Sequence, residues 1–300
     1  MRFSESREQR EFANSLADLL GSADVPSIAR AWAGGDFAPG RKLWARLADL
    51  GVLALGDPTV GATPVDLVLA FEQLGRFAVP GPYVEAVAVL PALGVADDDA
   101  VTTLAAPPAV PYALDAAAAD AVYVLDGTTL SSAAVGTAVP SVDGARRLAE
   151  VTAEAVVTTV EPGPALDRGV LATAAQLLGA GTALLERSID YAKQRTQFGR
   201  PIGSFQAVKH LLADAHVGLE FARPLLLGAA LTLEPRDSSA AKVACADAAY
   251  RAARTALQVH GAIGYTAEYD LSLWLVKVRA LVNAWGTSRE HRDRVLAAIR

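Results

Sequence analysis

Cysteine, methionine and charge are all scarce in this sequence of 300 residues. The chain has one Cys, one Met and only 20% charged residues. The single Cys245 excludes an internal disulfide, so we expect an intracellular, cytoplasmic protein. The net charge of −6 and the absence of a Lys/Arg stripe argue against nucleic-acid binding.

Targeting and membrane signals are also missing. Residues 1–20 lack the apolar core of a signal peptide, and no apolar run approaches about 20 uncharged residues. We therefore expect a soluble protein that does not bind membranes. The four histidines form no pair at i, i+4 and have no cluster of Cys, Asp or Glu beside them, so no metal site is expected.

The pattern of apolar residues changes twice along the sequence. Residues 1–95 show helical periodicity, residues 96–162 contain short β-branched runs separated by turn residues, and residues 163–300 again show long helical patterns. The predicted fold is mainly α with a small β module. It has an N-terminal helical domain (1–95), a reduced antiparallel β middle domain (96–162) and a C-terminal four-helix bundle (163–300).

Local signals place the main elements. Pro64 should begin a helix, and another is expected from about Tyr83 to Leu93. Asp126-Gly127 between two apolar runs predicts a hairpin turn. Ser204 is a plausible N-cap for the next helix, and Gly179-Ala180-Gly181, which lies inside a helical pattern, indicates a close contact between helices. The strands are expected at residues 101–104, 121–125, 135–139 and 154–160.

Two segments carry more specific information. The first is Arg-Thr-Gln-Phe-Gly-Arg-Pro-Ile-Gly-Ser-Phe-Gln at residues 195–206, and the second is Gln-Val-His-Gly-Ala-Ile-Gly-Tyr at residues 258–265. They resemble the flavin-binding motifs of the acyl-CoA dehydrogenase family, Arg-x-x-Phe-Gly-x-x-Ile-x-x-x-Gln and Gln-x-x-Gly-Gly-x-Gly-[Phe/Tyr]. The order helical domain, β domain, helical bundle is also that of the family.

The resemblance implies FAD binding, with these motifs reaching across a subunit interface to a flavin that the partner mainly holds. The chemistry is consistent, because Arg195 can pair with a diphosphate and Phe198 offers an apolar plane. Without a ligand, the same residues would be a turn with a surface Arg and a helix ended by glycine. The implied cofactor-binding residues are Arg195, Gln197, Phe198, Gln206, Gln258, Gly261, Ala262, Gly264 and Thr287.

The sequence also departs from the family pattern. Residues 96–162 lack the segments that cradle the flavin ring, and this module is about half the usual size. The family keeps its catalytic Glu at one of two positions, which match Trp285 and Gly169 here. Neither residue can take a proton from an acyl-CoA thioester. Asp167 and Glu290 lie near the lost positions and are the possible substitutes.

Three functions are therefore open. The preferred one is the non-catalytic subunit of a heteromeric acyl-CoA dehydrogenase, sharing FAD with a related full-length subunit in an α2β2 assembly. The family resemblance extends this to CoA thioesters derived from steroids. The alternatives are a self-sufficient dehydrogenase with a shifted base, and a scaffold or binding protein of this fold without flavin.

Overall fold

The computed structural model describes residues 5–95 and 100–300 of the chain. Its N-terminal region is helical, as predicted. The helix that begins at Pro64 has a capping box in which the hydroxyl of Thr63 accepts from the Asp66 N–H. The apolar residues Leu16 and Leu20 of the first helix are fully buried. The helices are α1 (Arg7–Ser22), α2 (Val25–Ala33), α3 (Ala38–Asp49) and α4 (Pro64–Arg76).

The helix expected from Tyr83 to Leu93 has a different form. It is a π-helix, Val84–Val89, followed by a 3-10 turn, Pro91–Leu93. Pro91 has no N–H with which to continue a regular helix, and Gly94 ends the segment in a left-handed conformation (φ 81°). Short π-helical segments are frequent at functional sites, and this one carries the buried Glu85.

Five strands form one sheet in the order β1-β3-β4-β5-β2. The hairpin prediction at Asp126-Gly127 is confirmed, since Asp126 pairs with Thr129 in an antiparallel register. The prediction of a wholly antiparallel module is wrong, because β1 runs parallel to β3. The strands are β1 (Thr102–Ala105), β2 (Ala113–Leu114), β3 (Ala121–Asp126), β4 (Thr129–Val139) and β5 (Leu148–Thr159).

The parallel pair has a structural reason. Residues 106–120 leave β1, place β2 against β5 at the far edge of the sheet and return to β3. A crossover of this length allows parallel pairing. The run expected at residues 135–139 is the end of the longer strand β4, whose pairing with β5 is interrupted by register shifts.

Long helices make up the C-terminal region. They are α5 (Gly163–Gln194), α6 (Gln206–Thr232), α7 (Pro235–His260), α8 (Leu271–Leu281) and α9 (Ser288–Ala298), with the short strands β6 (Thr196–Gln197) and β7 (Arg200–Pro201) between α5 and α6. The Ser204 N-cap prediction is wrong. Phe205 occupies that position, and the Ser204 hydroxyl instead donates to the Pro201 carbonyl at 2.7 Å.

Helix α5 is the centre of the fold and packs against α4, α6, α7 and α8. By length and composition it could cross a membrane, but 89% of its most apolar window is buried inside the protein. The predicted close contact at Gly179 is confirmed, because a Cβ there would overlap the Glu72 carbonyl of α4. A Cβ on Gly75 would likewise overlap the Gln176 carbonyl, so α4 and α5 touch backbone to backbone.

Candidate functional site

The first motif forms an exposed hairpin at the end of α5. Arg195 follows the helix directly, and strands β6 and β7 pair across a tip made by Phe198 and Gly199. Phe198 adopts a left-handed backbone conformation (φ 50°), which is uncommon for a residue with a side chain. Phe198 is 91% exposed. Among the described residues, the aromatic ring that it contacts is that of Phe205, in a T-shaped arrangement with 6.1 Å between the centroids.

The second motif lies at the end of α7. Gly261 ends the helix with φ 63°, and Ala262 and Gly264 belong to the 3-10 turn that follows. Gly264 is buried, and a Cβ there would come within 3.2 Å of the His260 Cβ. Gln258 is exposed. The second motif therefore presents one amide side chain and a bare backbone turn to the outside.

Aromatic stacking connects the two motifs. The ring of Tyr191, one turn before Arg195, stacks on His260 at 4.3 Å between centroids, and Tyr269 packs on the same imidazole at 5.6 Å. Burial lowers the pKa of His260, which favours the neutral ring in this stack. The contact places the Arg195 hairpin and the Gly261 turn at the same end of the bundle.

A groove between α6 and α7 adds two cations that sequence reasoning missed. It has a volume of about 610 Å³, and Gln258 lines it together with Arg251 and Arg254. Within the described residues, neither guanidinium forms an ion pair. Their spacing of three and four residues from one another and from Gln258 places all three on one helix face, a signal that the sequence alone contained.

The two positions that the family resemblance assigns to the catalytic base lie in contact with one another. A Cβ on Gly169 would lie only 2.6 Å from two ring atoms of Trp285. The indole is 3% exposed, and Trp285 has a left-handed backbone conformation (φ 57°). Trp285 therefore fills the space that a carboxylate from either position would need.

Buried polar contacts hold Trp285 in place. His291 Nε2 lies 2.9 Å from the Trp285 carbonyl oxygen, and His291 Nδ1 lies 3.1 Å from the Ser239 hydroxyl. Burial lowers the pKa of His291, so we assign the neutral ring, with Nε2–H donating to the carbonyl. The fully buried Lys242, whose pKa burial lowers to about 8, donates to the carbonyl oxygens of Leu281, Val282 and Gly286.

The two substitute bases have structural partners. Asp167 is 5% exposed and forms an ion pair with Arg294 at 2.6 Å. Glu290 closes the capping box of α9, accepting from the Thr287 N–H at 2.7 Å and from the Thr287 hydroxyl at 2.8 Å. These hydrogen bonds lower the pKa of Glu290. The predicted cofactor contact of Thr287 stays a prediction.

Within residues 5–95 and 100–300, no group of three His, Cys, Asp or Glu side chains is placed so that it could hold a metal ion. Gln197 is exposed in the hairpin, and Gln206, also exposed, begins α6. Eight of the nine predicted cofactor residues thus lie at one end of the bundle, namely Arg195, Gln197, Phe198, Gln206, Gln258, Gly261, Ala262 and Gly264.

The sequence matches a known family model. The model described as "Acyl-CoA dehydrogenase, C-terminal domain" covers residues 163–299. "Acyl-CoA dehydrogenase IpdE2" from Mycobacterium tuberculosis is 30% identical over 94% of this chain and 94% of its own. The protein of the same name from Mycolicibacterium smegmatis is 29% identical over 98% of this chain and 99% of its own. The chain belongs to the acyl-CoA dehydrogenase family, a class of oxidoreductases.

Solved structures confirm the fold class. One chain of the ChsE4-ChsE5 complex from Mycobacterium tuberculosis matches with a TM-score of 0.84 at 21% identity, over 100% of this chain and 99% of that one. A chain of the Tcur3481-Tcur3483 steroid ACAD matches with a TM-score of 0.82 at 22% identity, over 97% of each. At this identity the likeness shows the fold alone.

Proposed function

We propose that this chain is the non-catalytic subunit of a heteromeric acyl-CoA dehydrogenase and completes the FAD site of its partner. One observation carries the proposal, namely the packing of Trp285 on Gly169. Removing the α-proton of a CoA thioester needs a carboxylate close to the carbon. With both base positions occupied by this contact, the base belongs on the partner.

The exposed end of the bundle suits half of a flavin site. The guanidinium of Arg195 and the two groove cations Arg251 and Arg254 match the charge of a diphosphate. The amides of Gln197, Gln206 and Gln258 add hydrogen-bond donors, and the exposed Phe198 ring offers a surface for an aromatic group. FAD, when bound, accepts the hydride from the substrate. A glutaryl-CoA dehydrogenase of the same fold was solved in complex with FADH2.

A partner surface lies beside this end. Three large apolar residues of α6 are exposed at helical spacing, namely Val217 (50%), Phe221 (73%) and Leu225 (49%). Contiguous exposed apolar surface of this kind marks interaction sites. We assign it to a related full-length acyl-CoA dehydrogenase subunit in an α2β2 assembly. The ChsE4-ChsE5 and Tcur3481-Tcur3483 structures of this fold are both complexes of two proteins.

The substrate would be an acyl-CoA bound mainly by the partner. The Tcur3481-Tcur3483 protein is described as a steroid ACAD, which supports a steroid-derived acyl group here. A self-sufficient enzyme finds less support, because Asp167 is paired with Arg294 and Glu290 serves as a helix cap.

Flavin content tests the proposal. We expect the chain purified alone to be colourless, and its complex with a co-expressed full-length subunit to hold one flavin per heterodimer by visible absorbance. Arg195→Ala should weaken flavin retention about 10- to 100-fold, the effect of losing one charge-assisted contact of about 1.5–3 kcal/mol, while the assembly persists. The matched control is Arg7→Ala on α1, since Arg7 is 81% exposed.

Two outcomes would contradict the proposal. One is a yellow homo-oligomer with one flavin per chain, which would indicate a self-sufficient enzyme. The other is unchanged flavin content in the Arg195→Ala complex, which would remove the hairpin from the flavin site.

A further inference from the structure

A cavity of about 440 Å³ lies between the β module and the C-terminal helices. Its volume is within the range of small-molecule sites. The walls come from the loops at residues 109–112 and 140–142, the end of α8, and the indole of Trp285. Most of the lining is apolar, namely Val110, Leu114, Leu148, Ala280 and Ala284 together with Trp285.

Glu85 on the π-helix provides a carboxyl group in this lining. Glu85 is only 1% exposed. Its buried Oε2 has no hydrogen-bond partner among the residues that the structure describes. A buried polar atom without a partner is costly. Such an oxygen in the wall of a cavity is available to form a hydrogen bond with a ligand.

Arg146 provides the complementary charge. Its guanidinium lines the same cavity and is half-buried, and in the described part of the chain it makes neither an ion pair nor a side-chain hydrogen bond. A guanidinium carries five N–H donors in a planar fork that matches a carboxylate. Arg279 also lines the cavity and is exposed, so it adds positive charge where a ligand would enter.

Each of the two neighbouring buried carboxylates has a polar partner, although the Oδ2 atoms of Asp115 and Asp143 accept no hydrogen bond from the described residues. Asp143 forms a buried ion pair with Lys277 at 3.3 Å. Asp115 accepts from the Arg147 backbone N–H at 3.0 Å. Arg146 and the more exposed Arg279 are therefore the cations of the cavity lining that form no ion pair, within residues 5–95 and 100–300.

The protonation of Glu85 follows from its surroundings. Burial raises the pKa of Glu85 to about 7, against the opposing effect of Arg146, and burial raises the pKa of Asp115 to about 6. Below its own pKa of about 7, Glu85 carries an O–H that can donate to an acceptor oxygen. Above that value Glu85 is an anion that would repel an acceptor oxygen.

We propose that the cavity binds a small apolar molecule with a carboxylate group, which accepts from the Glu85 carboxyl and pairs with the Arg146 guanidinium. The apolar tail lies against Leu114 and the indole of Trp285. The site is built entirely from this chain and does not rest on the flavin or on a partner subunit. It gives the chain a ligand-binding function of its own, beyond completing a flavin site.

Calorimetric titration of the full chain with octanoate, beside octan-1-ol as the uncharged molecule of equal length, tests the site. We expect octanoate to bind and octan-1-ol to bind more weakly. Arg146→Gln should lower the octanoate affinity about tenfold or more, and Glu85→Leu about tenfold. Glu85→Gln keeps a donor and should retain binding. Equal affinity for the two probes, no binding of octanoate, or unchanged affinity in both Arg146→Gln and Glu85→Leu would overturn the proposal.

The pH profile separates recognition from packing. Octanoate affinity should fall between pH 6 and pH 8, because Glu85 and Asp115 gain negative charge beside a site whose other charged groups are Arg146, Arg279 and the Asp143–Lys277 ion pair. In Glu85→Gln the fall should be reduced to the part due to Asp115. A fall of the same size in Glu85→Gln and in the native chain would remove Glu85 from the site.

The Glu85→Gln variant also tests how Glu85 affects the stability of the fold. The folded chain holds the Glu85 proton more tightly than the unfolded chain, so this group's contribution is present below the ordinary pKa of Glu and lost as pH rises through about 7. The Glu85→Gln variant should therefore melt near the native temperature at pH 5 and above it at pH 8. A melting temperature below the native value at pH 8 would contradict the assignment of a buried, proton-holding carboxyl.

Discussion

Gly169→Glu, which places a carboxylate at one of the two predicted base positions, is expected to destabilise the folded chain severely. A Cβ at residue 169 would lie 2.6 Å from the ring of Trp285, and Trp285 is only 3% exposed. Overpacking of this kind costs about 1–3 kcal/mol. A buried carboxylate without a partner adds about 3–5 kcal/mol, and the sum approaches the whole stability of an ordinary domain.

A double-variant cycle assigns this loss to Trp285. Trp285→Ala alone should cost about 3–5 kcal/mol, since it empties a buried indole site. Combined with Gly169→Glu, it should remove the overlap, so the double variant should be more stable than Gly169→Glu alone. The midpoint of urea unfolding measures all three. A double variant that is no more stable than Gly169→Glu would show that the indole is not the obstacle.

Gly163→Glu is the matched control on the same helix. Gly163 begins α5, and a Cβ there meets no atom of the described residues within 4 Å. A carboxylate in the first turn of a helix also interacts favourably with the helix dipole. We therefore expect a change within about 0.5 kcal/mol. The contrast between residues 163 and 169 isolates the packing against Trp285 from the helix propensity of Glu.

Local chemistry made most helices predictable from the sequence. Pro64 after Thr63 specifies a helix start through contacts among neighbouring residues, and the apolar pattern of α5 specifies a buried helix. The Asp126-Gly127 turn likewise needs only adjacent residues. The parallel pairing of β1 with β3 was not predictable in this way, because it depends on where the crossover at residues 106–120 returns.

In the candidate site, too, some residues could be predicted from local sequence, and others could be recognised only from the packed structure. Arg195, Phe198 and Gln258 could be selected from motifs, while Arg251 and Arg254 lay outside those motifs and needed the α7 face to be considered as a whole. The departure from the family pattern was visible at residues 169 and 285 separately, but only packing brings Gly169 and Trp285 into contact. Glu85 has no motif around it. Its significance comes from burial and from the cavity, which four separate segments of the chain create.

Phe221→Asp is expected to abolish assembly with the full-length partner while leaving this chain folded. Phe221 is 73% exposed at the centre of the apolar row on α6, between Val217 and Leu225. An aromatic residue in that position contributes about 2–4 kcal/mol to an interface, and a carboxylate there adds the cost of losing its water. We expect at least about 100-fold weaker association by size-exclusion chromatography with light scattering at fixed concentrations. Stability of the isolated chain should change by no more than about 0.5 kcal/mol.

Val156→Asp is the control, since Val156 on β5 is 68% exposed but lies on the β module. Val156→Asp should leave assembly intact, and an intact complex of Phe221→Asp would remove the α6 row from the interface.

Flavin content then distinguishes the proposed role of the bundle in subunit assembly from its proposed role in flavin binding. Phe221→Asp should lose the complex and the flavin together, because the Arg195 hairpin can reach a partner's flavin only when the subunits are joined. Arg195→Ala should lose flavin from a complex that still forms, since its charge acts on the diphosphate and not on the α6 surface.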